Sequence, residues 1–133
     1  MQLNDSSMKS SSIVGRWKQC VVAGNQHLLK KDFDAAARQY EFARQYAETI
    51  FASWLNPCEA ASALVVTYHN IADLQRILGK RNEVLFYLEK AHKVVLRELL
   101  ITPVGNKKHH ALMGASKRTY LALVSYKKCG VYS

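Results

Sequence analysis

The chain has 133 residues, 49% of them apolar and 22% charged, with a net charge of +9. That balance predicts one soluble globular domain with a real core and excludes general disorder. The longest nearly apolar run, Ala60 to Val66, is far too short to span a bilayer. The three scattered cysteines, Cys20, Cys58 and Cys129, fit neither a disulfide framework nor a zinc knuckle.

Residues 1–11 are polar and serine-rich and read as a flexible leader; residues 12–133 read as a single helical domain. The leader has no apolar signal-peptide core. From Ile13 the apolar positions step by three and four, through Trp17, Cys20, Val21, Gly24 and Leu28, which predicts a helix. Lys30-Lys31-Asp32 interrupts the pattern, and Asp32 can cap the next helix. That second helix carries Phe33, Ala36, Ala37, Tyr40, Ala43, Ala47, Ile50, Phe51 and Trp54 as one stripe and should run to about residue 55. Asp34–Arg38 and Arg44–Glu48 are opposite-charge i,i+4 pairs on its outer side.

Asn56-Pro57, an N-cap followed by proline at the first helical position, restarts the chain, with Glu59 three residues after the cap. The third helix should turn Ala61, Leu64, Val65, Tyr68, Ile71, Ala72 and Leu78 inward and end at Gly79. Asn82 is the expected cap of a fourth helix holding Val84, Leu85, Leu88, Ala91, Val95 and Leu99, stopped by Thr102 to Gly105. A fifth helix, about 107–129, carries Leu112, Met113, Tyr120, Leu123, Val124 and Tyr126. No strand-like alternation is present, so the expected fold is all-α: five antiparallel helices, as two hairpins and a closing helix.

One spacing occurs twice. Gly24, Ala36, Tyr40 and Ala43 overlay on Ala72, Val84, Leu88 and Ala91, small residues where helices cross and bulky ones beside them. This pattern resembles the tetratricopeptide repeat (TPR), a helix-turn-helix unit with a period of about 34 residues. The copies lie 48 residues apart, because the second helix and the segment after it are expected to be lengthened, and Val84 stands where that family usually has alanine.

The resemblance implies a small adaptor or chaperone that binds a protein or peptide segment in a concave groove lined by the first helix of each hairpin. The positions it implies are Asn25, Leu28 and Leu29, with Lys18 and Val21, and then Val66, His69, Asp73, Arg76 and Ile77. The closing helix would add Lys117 and Tyr120. Some members hold a terminal carboxylate with lysines and asparagines. Here Asn25, Asn70 and Lys117 match that clamp, but Val21 and Leu121 stand where cations are expected, so the groove is read as mixed apolar and polar.

The last acidic residue is Glu98. Beyond it, Lys107, Lys117, Arg118 and Lys128 share an arc of about 100° on the closing helix. Two alternative readings follow. One is nucleic-acid or anionic-surface binding through this basic face, weakened by the lack of interleaved aromatics and of a helix-turn-helix signature. The other is a self-associating protein, a two-fold dimer covering the closing helix. The plain alternative to both is a solvated charged face. No phosphate loop or nucleophile elbow appears, and His109-His110 and His69–Asp73 are poor metal pairs. The expectation is a cytoplasmic, non-catalytic protein without cofactor or metal, its thiols reduced.

Overall fold

The computed structural model describes the backbone of residues 5–132 and the side chains of residues 13–129. The described residues are all-α, with five helices: α1 (Asp5–Leu29), α2 (Phe33–Ser53), α3 (Pro57–Ile77), α4 (Arg81–Ile101) and α5 (Lys107–Tyr132). There is no strand among the described residues. Each helix packs on the next, and α3 also packs on α5. The α1–α3 contact is thin, and the backbones of α2 and α4 do not approach one another among the described residues. The odd helices therefore form one layer and the even helices back it, a helical repeat-like arrangement. The leader expected over 1–11 overlaps α1, whose backbone is helical from Asp5; residues 1–4 lie outside the described residues.

Local chemistry explains most helix ends. Asp32 accepts the Ala35 N–H at 3.2 Å, and Asn56 accepts the Glu59 N–H at 3.1 Å, satisfying donors that the first turn leaves unpaired. Gly79 adopts φ +74° just past α3, a conformation open to glycine at little cost. The expected cap at Asn82 is corrected: the cap falls two residues earlier, at Lys80, which makes no side-chain bond, and α4 starts at Arg81. The cap that starts α5 is Asn106, which accepts the His109 N–H at 3.0 Å. Helix α2 stops at Ser53 rather than 55, because Trp54 turns into the left-handed region at φ 50°.

The 48-residue offset has a uniform cause. Helices α2, α3 and α4 each have 21 residues, joined by three-residue links, so α2 and α4 start 48 residues apart. No single segment is lengthened; every helix is long.

Four packed clusters form the core. One joins Phe51, Leu64, Tyr68, Val95 and Leu112, binding α5 to α2, α3 and α4. Another gathers Trp17, Ala43, Ala47, Ile50 and Ala60 between α1, α2 and α3. Tyr40 packs with Ala36, Ile71 and Leu74, and Val84 fills the space beside Ala72 and Leu88. The indole N–H of Trp17 donates to Thr67 Oγ1 at 2.7 Å, and the Thr67 hydroxyl donates to the Ala63 carbonyl. This buried chain ties α1 directly to α3 and satisfies both polar groups.

Some inward assignments are corrected. In α2, Ala35 is buried and Ala37 exposed. Leu78 lies at the end of α3 and is exposed. Met113 and Tyr120 of α5 point to solvent. Arg44 bonds Glu48 at 2.8 Å and also pairs with Glu41, whereas no Asp34–Arg38 bond occurs.

Candidate functional site

Of the expected groove residues, Lys18, Asn25, Leu29, Val66, Asp73, Arg76 and Ile77 fall on the solvent sides of α1 and α3, whereas Val21, Leu28 and His69 are partly buried. Helix periodicity explains this: the inner side of α3 is taken by Ala60, Ala61, Leu64, Thr67, Tyr68, Ile71 and Ala72, leaving Val66, Asp73 and Ile77 on the other side. Leu29 is 85% and Ile77 55% exposed, and Val66 is also open. Val22, which the sequence reading passed over, is exposed one turn from Asn25 and Gln26. Leu28 is half-buried and packs against the Tyr40 cluster.

The polar residues make two small groups. Tyr40 O–H donates to Asn25 Oδ1 at 2.6 Å, so the one acceptor of that amide is engaged from inside the protein. Burial raises the Tyr40 pKa, and the charge of Asp73 adds to the rise. Arg76 donates to Asp73 at 3.0 Å, and the Arg76 guanidinium also lies over the ring of Tyr126. His69 does not bond Asp73: its Nε2 is buried with no hydrogen-bond partner. Among the described residues no three His, Cys, Asp or Glu side chains gather closely enough to hold a metal ion.

The His69 environment sets a pH dependence. Burial pushes the imidazole below its ordinary range; Asp73 opposes the shift and Arg118 adds to it. Burial also lowers His92, whose Nδ1 lies 2.7 Å from Thr119 Oγ1. A histidine with a depressed folded pKa takes its proton more readily in the unfolded chain. Stability is therefore present above the ordinary value of about 6.5 and is lost as pH falls below it. The melting temperature should fall from pH 7.5 to 5.0, with a shallower slope in His69→Gln; equal slopes would exclude His69 as the cause. The Glu41 carboxyl, held low mainly by its bond to Arg44, loses its contribution at more acid pH, outside this window.

A second feature was not read from the sequence. The N-terminal half of α1, the end of α2 and the start of α3 enclose an open cleft of about 340 Å³. Its apolar wall is Ile13, Val14, Ile50 and Leu55, with Lys18 and Glu59 at the sides. The cleft brings together residues of three helices, a long-range property that spacing along one helix does not encode.

The basic residues of α5 divide. Lys107, Lys117, Arg118 and Lys128 are all exposed, and none has an ion-pair partner among the described residues. Lys108 pairs with Glu98 and lies 4.5 Å from the ring centre of Trp54, so it serves packing. The apolar residues do not simply back the basic arc: Met113, Tyr120 and Leu121 are exposed beside it.

The family model described as "Protein of unknown function (DUF2753)" matches residues 15–130. Comparisons with curated proteins and with solved structures gave no match.

Proposed function

The chain belongs to the DUF2753 family, which carries no assigned function, and from that premise we propose that it is a small TPR-like adaptor or chaperone that binds a protein segment along α1 and α3. The observation that carries this reading is the row of exposed apolar side chains, Val22, Leu29, Val66 and Ile77, on the solvent side of two neighbouring helices. Water around such residues is released when a partner covers them, at about 25 cal/mol per Å² before ordering costs. The cleft beside Lys18 extends the row toward the start of α1. Asn25, Asp73 and Arg76 are held by one another or by Tyr40, which suits orientation of a partner more than catalysis. The absence of any helix long and apolar enough to cross a membrane, among the described residues, accords with partners met in water.

A photo-crosslinking residue placed at position 66, on the same face, should capture one discrete partner from native lysate. Leu29→Glu/Ile77→Glu should lower that capture at least tenfold, the scale of a truncated interface anchor. Leu100→Glu, at an equally exposed leucine on α4, should leave it unchanged. Equal capture by all three proteins would overturn the assignment.

A further inference from the structure

The geometry points to a second docking surface, the outer side of α5, shaped for an acidic amphipathic helix of a partner protein. Helix α5 carries two apolar stripes. The inner one, Ala111, Leu112, Ala115, Ala122, Leu123 and Tyr126, packs into the stack with buried Thr119 between its turns. The outer one runs Met113, Lys117, Tyr120, Leu121, Val124 and Lys128, the spacing of a single helical face. Its one aromatic contact among the described residues is at the edge, where the His92 ring lies 6.0 Å from that of Tyr120; Met113, Lys117, Leu121 and Lys128 are open. Tyr120 is 56% and Leu121 62% exposed, far more than the stack requires of either.

Charge selects the occupant. No carboxylate follows Glu98 anywhere in the sequence, so α5 has cations only. Lys117 and Lys128 lie within the outer stripe, with Arg118 beside it, and none is paired within the described residues. A partner helix with apolar residues at i, i+3 and i+4 and carboxylates between them meets both features at once. A second copy of this face would bring like charges together. A phosphate backbone would press Met113 and Leu121 against charge, with Tyr120 alone able to stack on a base. A bilayer would receive Lys117 and Lys128 first, because they stand between the apolar side chains rather than at their edges.

The test uses the full chain and a fluorescent helical peptide of about 20 residues with leucines on one stripe and glutamates beside them. Its counterpart has lysine in place of each glutamate. Anisotropy at low salt should show binding of the acidic peptide at least tenfold tighter than the basic one. Leu121→Ser and Lys117→Glu/Lys128→Glu should each weaken it at least tenfold, with helical content unchanged by circular dichroism. Equal binding of the two peptides, or no effect of Leu121→Ser, would overturn the inference. So would tighter binding of single-stranded RNA or anionic vesicles in competition, or loss of a monomer by sedimentation through this face. Leu29→Glu/Ile77→Glu should leave peptide binding intact; its loss would move the peptide to the α1–α3 groove and leave the groove reading standing.

Discussion

Leu112→Ala should lower the unfolding free energy by about 2–5 kcal/mol, measured by urea denaturation. Leu112 is fully buried and meets Leu64, Tyr68 and Val95, so truncation opens a cavity where α5 joins the other helices. A leucine nine residues further along the same helix provides the control. Leu121 lies 62% exposed, and Leu121→Ala should change stability by no more than about 0.5 kcal/mol. If the two substitutions cost the same, α5 does not sit on the stack as described. Because Leu112 sits where α5 joins the other helices, the α5 amides should also lose exchange protection first in Leu112→Ala.

Gly24→Ala should cost about 1–3 kcal/mol, the reverse of what alanine does in most helices. A Cβ at Gly24 would lie 2.6 Å from Cδ1 of Tyr40. That ring cannot swing aside freely: it is 1% exposed and its hydroxyl is bonded to Asn25. Gly15→Ala in the same helix meets nothing within 4 Å and should stabilise by up to about 1 kcal/mol. Thermal melts of the two variants should move in opposite directions. A double substitution with Tyr40→Leu tests the contact, since Gly24→Ala should cost less once the ring is gone.

These two sites show how far residue spacing reaches. The pairing of Gly24 with Tyr40 belongs to the repeated spacing, because a notch and a bulky residue 16 positions apart are the two sides of one helix crossing. Val84 replaces the expected alanine without opening a gap; it is fully buried against Ala72 and Leu88. The misplaced cap at Asn82 has a simple origin. Cap preference is a local tendency of about 1 kcal/mol, and packing of Val84 and Leu88 sets where α4 begins. Spacing does not separate the exposed Ala37 from the buried Ala35, because alanine is equally at home on either face and carries no directional signal.

Helix α5 is the harder case. With apolar residues on both sides, its periodicity defines two faces, and only contact with α3 and α4 shows which is inside. The candidate groove lies between these extremes. Leu29, Val66 and Ile77 were legible as positions on the first helix of each hairpin, whereas the cleft beside Ile13 and Ile50 was not.

The amino-acid order by itself determined the five helices, most of their ends and which side of α1 to α4 is buried. It could do so because backbone hydrogen bonding, capping and a 3.6-residue period act between residues close in the chain. Tertiary structure alone decided which side of α5 meets solvent, how thinly α1 meets α3, and that His69 Nε2 is buried with no hydrogen-bond partner among the described residues. Those outcomes depend on side chains brought together from distant positions, whose contacts no local pattern specifies.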